Sequence, residues 1–176
     1  TEGTWTKRLH PGWAAQSGYR AAMLAKTGFV GPRTVFEGKH GLFHGFAHSA
    51  NGDWPALLDT FGASWVTETI AFKPYACGTM THPYIDCARR LTEQGVKPEQ
   101  IADIFCDTAE GYVHRLWEPL ADKQRVPNGY AGKFSIPYCI AAGIVLGDAG
   151  LEAFSDERSQ DPRLQAVAAK VRYRID

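Results

Sequence analysis

The pattern of residue types changes near Ser64–Glu68, and this change most constrains the fold. Before it, Ala and Gly recur at helical spacing from Ala14 to Ala25, and Thr27-Gly28 forms a helix end. Such a small-residue stripe predicts a helix packed inside an all-helical layer. After the change, β-branched and aromatic runs alternate irregularly with helical patterns, which is typical of an α+β layer. We therefore predict an α+β protein, with an all-helical domain over residues 1–66 and an α+β domain over residues 67–176.

Local signals in the second region predict two strands and two helices around a long loop. Trp65 to Phe72 and Ile104 to Val113 carry the β-branched and aromatic residues of strands. Pro83 to Gln94 has helical periodicity, and Ser135 caps a second, nearly all-apolar helix. The residues from Trp117 to Gly132 hold several Pro and Gly, so we predict a lid or binding loop there. The last residues, Val171 to Ile175, predict a further strand.

Two polar residues flank the predicted helix start at Pro83. Lys73 precedes the loop, and His82 stands immediately before Pro83. Helix starts carry free N–H groups and a partial positive charge, so they attract carboxylates and phosphates. This arrangement predicts a pocket for a small polyanion with an acid/base pair beside it. The alternative is a surface strand–helix turn on which the Lys and His are incidental.

Lys7 and His10 stand in the same relation to the first helix. Both precede the Ala/Gly stripe, so both are candidates to face an anion at a helix start. The alternative is that they are solvated polar residues on a connector. The sequence leaves both interpretations open.

Three histidines, His40, His44 and His48, are four residues apart and would share one face of a helix. Zinc sites use this spacing, which raises the hypothesis of a metal-dependent hydrolase. The intervening Gly41 and Gly45 weaken a helix, however, and no nearby Asp, Glu or Cys completes a ligand set. We therefore predict no metal site. The favoured interpretation is a Gly-rich turn leading to a short helix that buries Leu42, Phe43 and Phe46.

Charge and composition narrow the classes of partner. Nineteen basic and nineteen acidic residues give a net charge of zero, which argues against a general nucleic-acid binder. No apolar run approaches a membrane span, and the polar start does not resemble a signal peptide. Four widely spaced cysteines without a C-x-x-C pattern favour free thiols in a reducing compartment. We therefore predict a cytoplasmic location, with no nucleic-acid or membrane partner.

Several stretches in sequence order resemble the MmgE/PrpD family. They are Lys7-Arg8-Leu9-His10, Gly28-Phe29-Val30-Gly31-Pro32, Glu37-Gly38-Lys39-His40-Gly41, Phe72-Lys73-Pro74-Tyr75, Thr81-His82-Pro83, Gly132-Lys133-Phe134-Ser135-Ile136-Pro137-Tyr138, Asp161-Pro162-Arg163 and Val171-Arg172. The family includes 2-methylcitrate dehydratase, cis-aconitate decarboxylase and iminodisuccinate epimerase. Its members act on small di- and tricarboxylates without a metal or an iron–sulfur cluster, so the resemblance implies no cofactor.

The resemblance also implies an architecture. Family members have a large all-helical domain and a smaller two-layer α+β lid domain, with the active site between them. Members are more than twice as long as this chain, which resembles the end of the helical domain and an incomplete lid domain. The chain is thus expected to be a fragment of a longer enzyme or a truncated homologue. Apolar surface left by missing helices would then favour a homodimer.

Residue roles follow from the same resemblance. Lys7 is expected to be catalytic, contacting a substrate carboxylate or moving a proton, and Lys73 to bind carboxylate from the lid side. His82 is expected to be the catalytic acid/base, with His10 as a further substrate-binding candidate. The decarboxylase branch carries a His in the loop that here reads Cys77-Gly78-Thr79. This difference favours a 2-methylcitrate dehydratase-like hydro-lyase, and the alternative is a truncated, non-catalytic carboxylate-binding module.

Overall fold

A computed structural model describes residues 4–49 and 51–176. The chain divides into two compact units. The smaller unit is Arg8–Ala71, and the larger contains the described residues up to Lys7 together with Phe72–Asp176. The predicted boundary between residues 66 and 67 stays a prediction. Among the described residues, no helix has both the length and the apolar character that crossing a membrane requires.

The helices of the smaller unit are short except for the first. Helix α1 spans Thr6–Lys26, helix α2 spans Leu42–Ala47, and helix α3 spans Trp54–Leu58. Asp53 caps α3 by accepting a hydrogen bond from the N–H of Ala56 at 3.0 Å. The ring of Phe43 meets Trp54 edge to face, with 5.1 Å between centroids. These contacts join the starts of α2 and α3.

The structure corrects three predictions in the smaller unit. Helix α1 begins at Thr6, so Lys7 and His10 lie within its first turns rather than ahead of it, and none of its described side chains is buried. Phe46 is 83% exposed and Leu42 is 47% exposed, so α2 buries neither of them, and Phe43 is half-buried. The strand predicted from Trp65 to Phe72 is a 3-10 helix at Val66–Thr69 followed by irregular chain. Strand preference depends on packing against neighbouring strands, and these apolar side chains are exposed.

The larger unit consists of short helices around a two-stranded sheet. Its α-helices are α4 His82–Glu93, α5 Glu110–Tyr112, α6 Leu120–Gln124, α7 Gly129–Gly132, α8 Ile136–Val145, α9 Asp156–Ser159 and α10 Pro162–Ala168. Its strands are β1 Ile104–Thr108 and β2 Val171–Ile175. Shorter 3-10 turns lie at Thr79–Thr81, Pro98–Gln100 and Glu152–Phe154, and a π-helical turn lies at Val113–Trp117.

The two strands are parallel and pair in register, from Ile104 with Val171 to Thr108 with Ile175. The fully buried Trp117 closes one end of the sheet. Its indole N–H donates to Thr108 Oγ1 at 3.0 Å, and its ring packs on the Tyr173 ring with 4.9 Å between centroids. A parallel pair needs a crossover, and the chain between the strands supplies it with helices α5 to α10.

Helix α8 forms the centre of the core. Every residue from Ile136 to Ile144 is buried, and helices α4 and α10 pack against it. Gly143 permits a close approach to α4, because a Cβ there would lie 2.9 Å from the Cβ of Ala88. Ser135 caps α8 by accepting a hydrogen bond from the N–H of Tyr138 at 3.0 Å. The packing of α4 on α8 brings the loop before α4 next to the loop before α8.

The predicted α+β class agrees with this helix-rich unit and its small parallel sheet. The helix predicted from Pro83, the helix capped by Ser135 and the strand Val171–Ile175 are confirmed. The strand predicted from Ile104 to Val113 ends at Thr108, where Ala109 begins a turn into α5. The stretch predicted as irregular loop contains helices α6 and α7, which the Pro and Gly residues flank rather than prevent.

Candidate functional site

The loop from Phe72 to Thr81 is fixed by backbone hydrogen bonds to the rest of the larger unit. The N–H of Ala76 donates to the carbonyl of Ala149 at 3.2 Å, and that of Gly78 donates to Lys133 at 3.0 Å. The Thr81 hydroxyl is fully buried and donates back to the Gly78 carbonyl at 2.7 Å. The loop therefore holds its side chains in a defined place beside the start of α8.

Lys73 is exposed at the beginning of this loop. Its Nζ donates to the backbone carbonyl of Cys77 at 3.4 Å. An ammonium group has three donors, so this single long bond leaves Lys73 able to bind a carboxylate. The position agrees with the sequence prediction of a cation beside the helix start.

His82 is the first residue of α4 and is only 9% exposed. Burial and the nearby Lys73 ammonium lower its pKa below the ordinary value, and a backbone hydrogen bond with Cys77 and the charge of Asp86 partly oppose this. The imidazole is therefore neutral at neutral pH. Its Nε2 atom has no hydrogen-bond partner within the part of the chain that the structure describes. A buried, neutral and unpartnered imidazole nitrogen is suited to accept a proton.

The loop also carries a buried thiol that the sequence prediction did not include. Cys77 Sγ lies 3.0 Å from Thr81 Oγ1. A hydrogen bond with Cys139 lowers the pKa of Cys77, with smaller contributions from Thr81, Lys73 and Lys133, although burial opposes them. Burial raises the pKa of Cys139 well above its ordinary value. Spacing alone gave no signal for this pair, because helix packing brings the two residues together.

Lys7 lies in the larger unit, against the loop before α8. Its Nζ is 4.8 Å from the centroid of the Phe134 ring, a cation–π contact. Phe134 follows Lys133, whose carbonyl accepts the hydrogen bond from Gly78 in the Lys73 loop. Lys7 and Lys73 therefore flank two loops that are hydrogen-bonded to each other. His10 lies in the smaller unit, exposed on α1, and its predicted role stays a prediction.

The Phe134 ring also lines a cleft of about 830 Å³. Most of the cleft is formed by the stretch predicted as a binding loop, and its lining residues are His114, Arg115, Glu118, Pro119, Asp122, Lys123, Arg125, Val126, Pro127, Ala131 and Phe134. The amine of Lys123 donates to the carbonyls of Arg115 at 2.8 Å and Phe134 at 3.0 Å, and burial lowers its pKa. Because its amine is bound to two backbone carbonyls, Lys123 holds the wall of the cleft together, and we do not count it as a cation that could bind a ligand.

The three histidines considered as metal ligands do not share a helical face. His44 lies within α2, His48 ends that helix in the left-handed conformation with φ of 54°, and His40 precedes it. Across residues 4–49 and 51–176, no group of three or more His, Cys, Asp or Glu side chains is arranged to hold a metal ion.

The larger unit therefore combines a cation, Lys73, with a neutral buried base, His82, on one rigid loop and helix start. A second cation, Lys7, lies at the neighbouring loop. This combination is suited to a substrate that carries carboxylates next to an exchangeable proton. In general, an ammonium group can hold negative oxygens and an imidazole can move a proton.

Comparisons with known proteins identify the family of the chain. The chain is 28% identical to a cis-aconitate decarboxylase of Aspergillus terreus over 96% of its length, and 28% identical to a cis-aconitate decarboxylase-like protein of Aspergillus oryzae over 84%. The chain spans 37% of the first relative and 33% of the second. The model of the MmgE/PrpD N-terminal domain matches residues 1–54, and that of the MmgE/PrpD C-terminal domain matches residues 75–176. These two matches show that the chain belongs to the MmgE/PrpD family.

Proposed function

We propose that this chain is part of a lyase that acts on a small di- or tricarboxylate, with Lys73 and Lys7 binding carboxylates and His82 moving the proton. The observation that carries the proposal is the buried Nε2 of His82, which has no hydrogen-bond partner in residues 4–49 and 51–176 and lies near the Lys73 ammonium. Family membership and the carboxylate lyases named among its relatives support the same class of reaction. His10 is proposed as an additional carboxylate contact.

The lowered pKa of His82 favours a reaction that begins with proton removal. In a dehydration, His82 would take the proton from the carbon next to a carboxylate, and the carbon–oxygen bond of the hydroxyl would break. The leaving hydroxide takes up a proton, so that the products are an alkene and water. The Lys73 ammonium would stabilise the charge that develops on the carboxylate while the proton leaves. We therefore propose a hydro-lyase of the 2-methylcitrate dehydratase type.

Decarboxylation is the second candidate, because the curated relatives are named cis-aconitate decarboxylase. In that reaction a carbon–carbon bond breaks, carbon dioxide leaves, and the remaining carbon accepts a proton. A proton donor is then needed, and the lowered pKa leaves little of His82 protonated at neutral pH unless a bound carboxylate raises that pKa. The loop Cys77-Gly78-Thr79 also lacks the histidine expected of decarboxylases.

A turnover assay separates these possibilities. Protein expressed from its complete reading frame is incubated with 2-methylcitrate, citrate and cis-aconitate, and both alkene absorbance and carbon dioxide are measured. We expect alkene formation from 2-methylcitrate, lost in His82→Asn and weakened in Lys73→Met and Lys7→Met. Carbon dioxide release from cis-aconitate would support the decarboxylase instead. Failure to transform any of these acids would refute a lyase on such substrates.

A non-catalytic carboxylate-binding module is the alternative, and calorimetry distinguishes it. Binding of citrate-like acids without turnover supports the module. If the protein neither binds nor transforms these acids, both proposals are refuted.

We further propose that the protein is a homodimer, because α1 exposes large apolar side chains such as Leu9 and Trp13. Light scattering tests this proposal. The free cysteines are consistent with a proposed cytoplasmic location, which cell fractionation tests.

A further inference from the structure

Tyr75 lies across the face of α4 that begins at His82. Asp86 and Arg89 follow His82 at helical spacing, so all three side chains share this face. The Tyr75 hydroxyl donates to Asp86 Oδ1 and accepts a hydrogen bond from Arg89 Nη1 at 2.9 Å. The Tyr75 ring meets the His82 imidazole edge to face, with 5.3 Å between centroids and 88° between planes. One aromatic ring thus contacts the proposed base and is itself anchored to the same helix.

The Tyr75 ring has little freedom to move. It is only 4% exposed, its hydroxyl is bonded to two residues, and the next residue is held by the hydrogen bond from Ala76 to Ala149. Burial and the hydrogen bond to Asp86 raise the pKa of Tyr75, so the hydroxyl keeps its proton at neutral pH. The ring therefore limits the orientations that the neighbouring imidazole can adopt.

We propose that Tyr75, anchored by Asp86 and Arg89, is the positioning residue that fixes the orientation of the His82 imidazole, whose buried Nε2 has no hydrogen-bond partner among the described residues. The substrate part of this inference rests on the proposed function. The positioning part concerns only the imidazole and its neighbours. Tyr75 itself takes no proton from the substrate.

The groups around the imidazole determine what loss of Tyr75 does. Burial and Lys73 lower the pKa of His82, whereas the Cys77 backbone and Asp86 raise it. Tyr75→Phe keeps the ring but removes the hydroxyl from Asp86, so the carboxylate would favour the imidazolium more strongly. Tyr75→Leu also removes the aromatic ring that covers the imidazole. Both variants are expected to raise the pKa of His82, Tyr75→Leu more than Tyr75→Phe.

A matched control is available on α4, the helix that carries His82. The Tyr84 hydroxyl donates to the carbonyl of Asp107 at 2.9 Å, and the Tyr84 ring packs on Trp117 rather than on His82. Tyr84→Phe therefore removes a tyrosine hydroxyl hydrogen bond from α4 without touching the imidazole. It is expected to leave the His82 titration and the turnover unchanged.

The experiment titrates the His82 imidazole by NMR in the full chain, with His82→Asn used to assign its signals. The pKa should rise in Tyr75→Phe and Tyr75→Leu but not in Tyr84→Phe. The kcat should fall about tenfold in Tyr75→Phe with little change in KM, because Lys73 remains to bind the carboxylate. A lost hydroxyl that mattered only for stability would lower the melting temperature without moving the titration.

The two proposals fail separately. If no acid is turned over but the His82 pKa still follows Tyr75, the proposed function fails and the positioning role stands. If the His82 titration in Tyr75→Phe matches that in Tyr84→Phe, the positioning role is refuted, whatever the turnover. Should Tyr75→Leu not fold, the comparison between the two Phe variants still decides the question.

Discussion

Gly129 begins α7 and packs against the backbone of Phe154 and Ser155 just before α9, where there is no room for a side chain. A Cβ built on Gly129 would lie 2.0 Å from the carbonyl oxygen of Phe154 and 2.7 Å from the carbonyl carbon of Ser155. Real Cβ contacts do not fall below 3.0 Å, so the two backbones would have to separate by at least the difference. Gly129→Ala is therefore expected to destabilise the larger unit.

Neither side of this contact moves easily. The N–H of Gly129 donates to Asp156 Oδ1 at 2.9 Å, and the carbonyl of Ala153 accepts from the buried Tyr138 hydroxyl at 2.6 Å. Overpacking of a tight site costs about 1 to 3 kcal/mol, and the reduced freedom of the unfolded chain returns about 0.4 to 1 kcal/mol. We take a net loss of about 2 kcal/mol, which lowers Tm by about 8 to 16 °C in a unit of roughly 100 residues.

Gly111→Ala is the matched control. Gly111 lies in α5, and a Cβ there would meet nothing within 4 Å. This variant should be neutral or stabilise the fold by up to about 1 kcal/mol. Thermal unfolding followed by circular dichroism compares the two variants. If Gly129→Ala melts within about 1 °C of Gly111→Ala, the close packing described around Gly129 is wrong.

Three further predictions follow from the same structure. Lys73→Met should weaken binding of citrate-like acids by about tenfold to a hundredfold in calorimetry, because a charge-assisted hydrogen bond to the acid is lost. The exposed Lys26→Met is the control, and an equal loss of affinity in that variant would contradict a specific role for Lys73. Because the pKa of His82 is lowered in the folded chain, the unfolded chain binds a proton at this imidazole at a higher pH, and the free energy of unfolding should fall as the pH drops below the ordinary histidine pKa. Urea unfolding of His82→Asn should lack this contribution to the pH dependence. Thr108→Val removes the acceptor of the buried Trp117 N–H and should lower the free energy of unfolding by about 1 to 3 kcal/mol in urea. An unchanged unfolding midpoint would count against that hydrogen bond.

Local signals predicted the parts of the fold that local chemistry determines. The cap at Ser135, the apolar run of α8 and the helix that begins near Pro83 are encoded within a few residues of themselves. The strand predicted from Trp65 to Phe72 failed because strand preference expresses packing on a partner strand, and that segment is exposed. The helices α4 and α8 were therefore predictable, whereas the irregular segment before α4 and the helices α6 and α7 were not.

The candidate site was predictable only in part. Lys73 and His82 were identified from a helix start and a resemblance, and the structure places His82 buried beside the Lys73 loop. The contacts of Tyr75 with α4 and of Cys139 with Cys77 were not predicted, because they join residues that the fold brings together. Residue spacing in the sequence does not predict such contacts, and they become visible only as hydrogen bonds and ring contacts in the structure.

We propose that Lys73 and His82 form one site for a carboxylate. The most direct test titrates the His82 imidazole by NMR without and with a saturating, unreactive tricarboxylate. A bound carboxylate beside the imidazole should raise the pKa of His82, and Lys73→Met should abolish both the binding and the rise. A His82 titration that is unchanged while the acid is bound would contradict the account.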